Sequence, residues 1–160
     1  MVATCVSRLP ATRPRYLMGV GFPEELVQGV ASGVDLFDCV LPTRLARNGC
    51  GFSRAQGRLN LKGASFSADL SPLDPDCRCP TCRGFTRAYL RHLYNAREIL
   101  AARLVTYHNV YFYTRLMSEA REAILRGVFP QFREHWNQGA REGASTPGAN
   151  EADGTPAGPE

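Results

Sequence analysis

Residues 16–41 read YLMGVGFPEELVQGVASGVDLFDCVL, and this stretch combines two kinds of pattern. Its first six residues are apolar or β-forming and end in glycine, which is typical of a strand followed by a turn. A helix begins near Pro23, because proline suits a first helical turn and the acidic pair after it complements the helix dipole. Gly33 ends that helix, and residues 34–41 form a second apolar run that Pro42 stops. The stretch therefore predicts a strand, a helix and a second strand.

A strand–helix–strand unit of this kind predicts an α/β fold in which the two strands run parallel. In such folds, the residues that carry chemistry lie at the carboxyl ends of the strands. Gly19–Gly21 and Asp38–Arg47 lie at that end here. Asp35 lies near the opposite, buried end of the second strand, so we expect its substitution to disturb stability more than chemistry.

The rest of the chain predicts short strands followed by helices. Residues 50–75 contain turn signals and an alternating run, which favours short strands. Helical patterns follow at 86–95 and 96–126, and a last one spans 130–136. Residues 138–160 contain five glycines, three prolines and no apolar side chain larger than alanine, so we expect a disordered tail.

Charge is divided unevenly along the chain. The net charge is +4, but the tail carries one arginine and four acidic residues, which leaves +7 on residues 1–137. A basic folded part suggests a polyanion partner, although a solvated surface with a mild cationic excess is at least as common. No apolar run approaches the ~20 residues that cross a bilayer, and the first residues lack the apolar core of a secretory signal. We therefore expect no membrane span and a reducing, cytoplasmic location.

Three cysteines stand within six residues, at Cys77, Cys79 and Cys82. The C-x-x-C spacing is common in structural zinc sites, and the additional cysteine supplies a third thiolate. In a reducing compartment such cysteines are more often metal ligands than disulfides. Free thiols or redox chemistry are the alternative. The other cysteines have no such spacing and are expected to be ordinary residues: Cys5, Cys39 and Cys50.

A tetrahedral site needs a fourth ligand, and His108 is the best candidate. It lies four residues from both Leu104 and Phe112, on a helical face that we expect to pack inward. A satisfied core histidine is the alternative, but a buried imidazole beside three cysteines favours a ligand. His92 falls on a more polar face, and His135 lies close to the tail. Three cysteines and one histidine leave no open coordination position, so we expect one structural zinc per chain.

Asp38 ends the second predicted strand, which we expect to be buried, and precedes a segment with two arginines. A carboxylate there can act as a nucleophile, as a base or as the partner of a nearby arginine, and on general grounds the structural ion pair is favoured. Arg44 and Arg47 are three residues apart, so both would face one way in a helical turn and suit contacts with phosphates or base edges. A solvated face is the usual explanation for such a pair.

Several motifs, taken in order, closely resemble those of the tRNA-guanine transglycosylases, also called queuine tRNA-ribosyltransferases. They are RPRYLMGVG at 13–21, DLFDCVLPTR at 35–44, ARNG at 46–49, C-x-C-x-x-C at 77–82, TRAYL at 86–90, and T-x-H-N followed by FY at 106–113. The resemblance implies the C-terminal portion of a (β/α)8 TIM barrel with a zinc-binding insertion. It also implies exchange of the guanine at the wobble position of tRNAs with GUN anticodons for a 7-deazaguanine, either the queuosine precursor or queuine.

The resemblance also implies roles for individual residues. Asp38 matches the nucleophile, which attacks the ribose C1′ and holds a covalent intermediate, as in retaining glycosidases. Met18 matches a residue that packs on the exchanged base, and Tyr16 one that supports the nucleophile. The zinc ligands are Cys77, Cys79, Cys82 and His108. The segment that contacts RNA comprises Gly19, Val20, Gly21, Phe22, Pro23, Glu24 and Glu25. The segment that recognises the wobble base comprises Thr43, Arg44, Leu45, Ala46 and Arg47.

A complete barrel of this kind takes about 250 residues, and only its last two strands are expected here. We therefore expect a fragment of a longer chain, or a chain completed by another. Residues 1–49 would be the last two βα units, 50–112 the zinc-binding subdomain and 113–137 the C-terminal helices that pack on the barrel. The first hypothesis is the catalytic subunit of a tRNA transglycosylase, a dimer that acts on a tRNA anticodon loop and a 7-deazaguanine base. The alternative is a non-catalytic, zinc-stabilised tRNA-binding or assembly module.

Overall fold

Strands and helices alternate in the first half of the chain, and helices dominate the second half. A computed structural model describes the backbone of residues 2–144 and the side chains as far as Trp136. The helices are α1 (Val2–Val6), α2 (Pro23–Ala31), α3 (Leu41–Arg47), α4 (Pro80–Gly84), α5 (Arg87–Asn95), α6 (Ile99–Leu125) and α7 (Phe129–Ala144). The strands are β1 (Tyr16–Met18), β2 (Leu36–Asp38), β3 (Cys50–Ser53) and β4 (Gly57–Asn60), and a 3₁₀ turn covers Ala64–Phe66.

β1 and β2 form a parallel pair joined by α2, as the opening stretch predicts. Tyr16 lies beside Leu36, and Met18 lies beside Asp38. Because side chains alternate along a strand, these four share one face of the pair. The mixed α/β class is confirmed, and residues 2–144 form no closed barrel.

The shared face of β1 and β2 is open to solvent, although the sequence predicts buried strands. Three of its side chains are 53%, 72% and 54% exposed, namely Tyr16, Met18 and Leu36. Asp38, on the same face, is also exposed. The opposite face is covered, because Phe37 packs so closely on α2 that a Cβ at Gly29 would lie 2.7 Å from its ring. The prediction fails because, within the described residues, the helices cover only one side of the pair.

β2 is shorter than the predicted strand. The sequence predicts a strand at 34–41, but Leu41 and Pro42 lie in the first turn of α3. Proline needs no N–H partner in a first helical turn, so here it begins a helix in addition to stopping the strand. Asp35 is exposed and not buried as expected; its carboxylate accepts a hydrogen bond of 2.8 Å from the backbone N–H of Arg15.

β3 and β4 form an antiparallel hairpin, which accounts for the short strands expected between residues 50 and 75. Gly57, opposite Ser53, has a φ of 68°, a left-handed conformation that suits glycine at the turn. Phe52 points into the molecule, where it is 2% exposed and stacks on Phe112 of α6 with ring centroids 5.6 Å apart. The hairpin is therefore fixed to the long helix.

α6 contributes to two apolar clusters. The cysteine-side cluster consists of Ala46, Leu59, Leu61, Leu73, Cys77, Cys79, Cys82, Leu90 and Val105. The strand-side cluster consists of Leu26, Val27, Phe52, Phe112, Tyr113 and Leu116. The division expected between residues 112 and 113 falls inside this continuous helix. The helix begins at Ile99 and not at residue 96 as predicted, because Arg97 adopts a left-handed φ of 57° at the end of α5.

α7 extends further than the predicted helix at 130–136. It reaches Ala144 and packs against α2, α6 and β4. The tail that we expect to be disordered at 138–160 therefore overlaps α7 at 138–144, while 145–160 lie outside the described residues. α1 and α4 were not predicted. Between residues 2 and 144, none of the helices combines the length and the hydropathy that crossing a membrane requires.

Candidate metal centre and strand-end site

Four side chains converge where the cysteine loop meets α6. The ligand atoms of Cys77, Cys79, Cys82 and His108 all lie within 4.8 Å of one another. The Nδ1 atom of His108 is 3.7, 3.4 and 3.2 Å from the three sulfur atoms in that order. None of the four side chains is more than 9% exposed. The group predicted from the cysteine spacing and the helical face is therefore formed, and three thiols with one imidazole can bind a metal ion.

The local sequence explains how the sulfur atoms meet. Cys79 precedes the first turn of α4, and its Sγ accepts a hydrogen bond of 3.4 Å from the backbone N–H of Cys82. Pro80 is suited to that first turn, which brings Cys82 back beside Cys79. The N–H of Cys77 donates to the carbonyl of Asp74 at 3.1 Å, which closes the preceding turn. One tight loop and one helical turn thus place all three thiols.

The second nitrogen of the His108 ring fixes its orientation. Its Nε2–H donates to the carbonyl oxygen of Phe52 at 2.7 Å. Because the proton is assigned to Nε2, the lone pair of Nδ1 faces the sulfur atoms. His108 is 0% exposed. The two alternative ligands, His92 and His135, are exposed and lie outside the group. Phe52, in β3, therefore connects the hairpin to the candidate metal centre.

The groups around the sulfur atoms stabilise charge. A hydrogen bond from the Cys82 thiol lowers the pKa of Cys79, although burial opposes the shift. The same hydrogen bond, together with burial, raises the pKa of Cys82. Burial lowers the pKa of His108, but hydrogen bonds with Cys77 and Cys79 outweigh it and raise the value to about 9. A divalent ion binds a group of three thiols and one imidazole by displacing their protons.

The strand-end site lies at the carboxyl ends of β1 and β2. Asp38 and Met18 are paired there as the last residues of their strands. The Asp38 Oδ1 accepts a hydrogen bond of 3.3 Å from the backbone N–H of Gly19. A hydrogen bond with the Asp38 carboxylate, together with partial desolvation and its negative charge, raises the pKa of the Tyr16 phenol. None of the ion pairs among the described side chains includes Asp38, so the favoured ion-pair interpretation is not observed.

α3 presents both arginines to solvent directly after this site. Arg44 and Arg47 are exposed and take part in none of the ion pairs among the described side chains. The Thr43 hydroxyl donates to the carbonyl of Val40 at 3.1 Å, in the first turn of the helix. Ala46 is 0% exposed and packs in the cysteine-side cluster. α3 therefore has one buried side and one open cationic side.

The loop between β1 and α2 is held by specific contacts. Gly19 has a φ of 73°, and a Cβ at Gly21 would lie 2.3 Å from the Sγ of Cys39. Both positions therefore require glycine, the first for its conformation and the second for its packing. The backbone N–H of Phe22 donates to the Glu25 carboxylate at 3.1 Å. Glu25 thus stabilises the start of α2. This structural role is separate from the contact with RNA that we expect of Glu25.

Sequence analysis missed three polar side chains that hold these segments. The Tyr113 hydroxyl donates a hydrogen bond to the Gly21 carbonyl at 2.6 Å. The Asn109 Nδ2 donates to the Pro42 carbonyl at 2.9 Å. The Tyr94 hydroxyl donates to the Ala46 carbonyl at 2.5 Å. A signal was available for two of them, because Asn109 and Tyr113 share the inward face of the helix with Phe112. Polar groups on a buried face need partners.

The structure defines an α/β protein in which a long helix carries one ligand of a four-ligand metal-binding group and also bonds to the segments that follow two parallel strands. The model of the queuine tRNA-ribosyltransferase family matches residues 1–142. The chain therefore belongs to the queuine tRNA-ribosyltransferase family.

The chain is also similar to individual members of that family. It is 56% identical over 128 residues to the queuine tRNA-ribosyltransferase of Caldanaerobacter subterraneus, a match that covers 80% of this chain and 34% of that protein. The protein of the same name from Pelotomaculum thermopropionicum is 57% identical over 129 residues, with 81% and 35% covered. That from Streptococcus pneumoniae is 55% identical over 128 residues, with 80% and 33% covered. The chain thus spans about a third of the length of the curated relatives it matches.

Proposed function

We propose that this chain is the C-terminal part of a tRNA-guanine transglycosylase. This enzyme exchanges the guanine at the wobble position of tRNAs with GUN anticodons for a 7-deazaguanine. The observation that carries the proposal is the open strand face, where Asp38, Tyr16 and Met18 lie directly before the exposed arginines of α3. The relatives carry the name queuine tRNA-ribosyltransferase, which agrees with this class of reaction. Since the chain spans about a third of their length, the activity is proposed for the completed protein.

Asp38 is the proposed nucleophile. A carboxylate oxygen attacks C1′ of the ribose and forms a C–O bond, while the bond from C1′ to guanine breaks and guanine leaves with the electron pair. The incoming base then attacks C1′ and releases the carboxylate, so two inversions retain the configuration. The N–H of Gly19 orients one oxygen of Asp38. Tyr16, whose pKa is raised, remains protonated and can donate to the same carboxylate.

The proposed RNA contacts follow from exposure and charge. Arg44 and Arg47 extend from the open side of α3, and a guanidinium suits bidentate contacts with phosphates and base edges. Residues 19–25 begin beside Asp38, and the open surroundings of Gly19, where a Cβ would meet nothing within 4 Å, permit close approach of an RNA backbone. Met18, 72% exposed beside Asp38, offers an apolar surface to the exchanged base.

Zinc is the metal that we propose for the cysteine–histidine group, at one ion per chain. Bonds of about 2.3 Å to sulfur and about 2.0 Å to nitrogen, at tetrahedral angles, place those two ligand atoms about 3.5 Å apart. The observed distances from Nδ1 to the sulfur atoms, 3.2 to 3.7 Å, fit that geometry. Cys77, Cys79, Cys82 and His108 would fill all four positions, so the ion supplies folding energy and takes no part in the reaction.

The second candidate function is a non-catalytic, zinc-stabilised tRNA-binding or assembly module. The open face of the strand pair favours it, because within the described residues no element encloses a substrate around Asp38. A partial TIM barrel, a dimer, a cytoplasmic location and the division of the chain at residues 49, 112 and 137 stay predictions.

Covalent trapping separates the two candidates. Residues 1–142 would replace the matching part of the Caldanaerobacter relative, and the chimera would be incubated with tRNA in the absence of an incoming base. We expect a protein–tRNA adduct that survives denaturing electrophoresis. Asp38→Asn should bind tRNA but form no adduct, because an amide is a poor nucleophile towards C1′.

Asp35→Asn is the matched control, since it removes an exposed carboxylate three residues away. It should still form the adduct. An adduct with Asp38→Asn would show that the nucleophile is wrongly assigned. A chimera that binds tRNA and never forms an adduct would support the non-catalytic module.

A further inference from the structure

We propose that Tyr94, Asn109 and Tyr113 are positioning residues, through which the metal-bearing helical part of the chain fixes the two segments that contact RNA. Tyr113 and Tyr94 each donate a hydrogen bond to a backbone carbonyl of one of these segments, and Asn109 donates to the carbonyl of Pro42, directly before the second. The proposal rests on the proposed function in one respect, the role of residues 19–25 and 43–47 in RNA binding. The effect of the three side chains on the order of residues 19–25 and 43–47 does not depend on that role in RNA binding.

Asn109 connects α3 to the candidate metal centre. Its Nδ2 donates to the carbonyls of Pro42 at 2.9 Å and Cys50 at 3.1 Å, and its Oδ1 accepts from the N–H of Phe52 at 3.3 Å. The neighbouring His108 binds the carbonyl of the same Phe52. Two consecutive residues of α6 therefore hold both polar backbone groups of Phe52, and one of them also holds the first turn of α3.

Tyr113 and Tyr94 act at the other two points. The Tyr113 hydroxyl reaches the Gly21 carbonyl from a side chain that is 8% exposed, and its ring packs edge-on against Phe52 with centroids 5.3 Å apart. The Tyr94 hydroxyl donates to the carbonyl of Ala46 in the last turn of α3. Burial raises the pKa of both phenols, which keeps the two hydroxyls as donors.

α3 needs such support because its local structure is weak. α3 has seven residues, and a helix of that length is not stable by itself. Its exposed arginines make no ion pairs with the described side chains that could hold them in place. The position of α3 is therefore set by contacts with α5 and α6, at both of its ends.

The test uses the 160-residue chain loaded with zinc, and the substitutions Tyr113→Phe and Tyr94→Phe, which remove a single hydroxyl each. Amide hydrogen exchange would be measured in residues 19–25, 41–47 and 77–82, together with zinc content. Affinity for an RNA hairpin with guanine at the first anticodon position would be measured with the same substitutions in the chimera described above. Tyr107→Phe is the matched control, because Tyr107 lies on α6 and is 54% exposed. Asn109→Ala leaves two buried carbonyls without a donor and can prevent folding, so the tyrosine variants decide the result.

We expect Tyr113→Phe to accelerate exchange in 19–25 and Tyr94→Phe to accelerate it in 41–47. Each should weaken RNA binding about fivefold, the loss typical of one neutral hydrogen bond. Zinc content and exchange in 77–82 should stay at the wild-type level, and Tyr107→Phe should change nothing. Unchanged exchange in both segments, or faster exchange with unchanged RNA affinity, overturns the proposal. A wild-type chimera that does not bind the hairpin contradicts the proposed function, and the exchange rates then decide the positioning role alone.

Discussion

The cysteine loop and the strand pair are built in opposite ways. The metal-binding group takes its ligands from one short loop and one helix, and none of the four is more than 9% exposed. The strand-end residues Tyr16 and Met18 are 53% and 72% exposed, on strands of three residues each. The first region completes its own coordination sphere, while the second presents reactive groups without enclosing them. A short sequence can thus form a closed metal group by itself, whereas a substrate site needs surfaces from several elements.

The largest effect should follow from breaking the closed region. Cys79→Ser replaces a thiolate ligand by a hydroxyl, whose oxygen can still accept from the Cys82 N–H, so we expect loss of zinc and unfolding that includes residues 77–112. Metal analysis and circular dichroism measure both changes. His108→Ala should behave alike, and Cys5→Ser, at an exposed cysteine, is the control. Full zinc occupancy in His108→Ala would show that another histidine is the ligand.

In the open region, replacement of an exposed arginine should lower RNA affinity and leave stability unchanged. Arg47→Ala removes an exposed cation without an ion-pair partner among the described side chains, so the thermal midpoint should not change. We expect tRNA affinity to fall about tenfold, as for the loss of a charged hydrogen bond. Arg121→Ala, at an exposed position late in α6, is the control for general charge. Lower stability with unchanged tRNA affinity would place Arg47 in a structural role.

A smaller effect is expected on the pKa of Tyr16, which lies close to Asp38 at the strand end. The pKa of Tyr16 is raised chiefly by its hydrogen bond with Asp38. Asp38→Asn removes the negative charge and the carboxylate acceptor, so the pKa of Tyr16 should fall towards its ordinary value of 10.0. Tyrosine-selective NMR across alkaline pH measures it, with Tyr16→Phe to assign the signal. An unchanged pKa would mean that the two side chains do not interact in solution.

The smallest effect concerns the turn between α5 and α6. Arg97 has a φ of 57°, and its N–H and that of Glu98 cap the end of α5 by bonding to Tyr94 and Leu93. A non-glycine residue in this conformation costs about 1 kcal/mol. Arg97→Gly should therefore raise the thermal midpoint by about 3 °C. Ala96→Gly, one residue earlier at a helical φ of −75°, should lower it.

The metal centre was more predictable than the strand end. The spacing of Cys79 and Cys82 is a local property, and one helical period relates His108 to Leu104 and Phe112, so a pattern along the sequence was sufficient. Burial of Asp38 depends on what covers the strand face, and strand pattern alone contains no information about that. The tight beginning of α3 at Leu41 was missed for a local reason, because Pro42 both stops strands and begins helices.

α6 has a further consequence for how the protein unfolds. Its 27 residues supply Val105 to the cysteine-side cluster and Phe112 and Leu116 to the strand-side cluster. If either cluster came apart, the helix would lose part of the packing that stabilises it along its whole length, because helical order is cooperative. The two regions therefore belong to one cooperative unit. For residues 2–144, calorimetry should show one unfolding transition, in which the calorimetric and van't Hoff enthalpies agree.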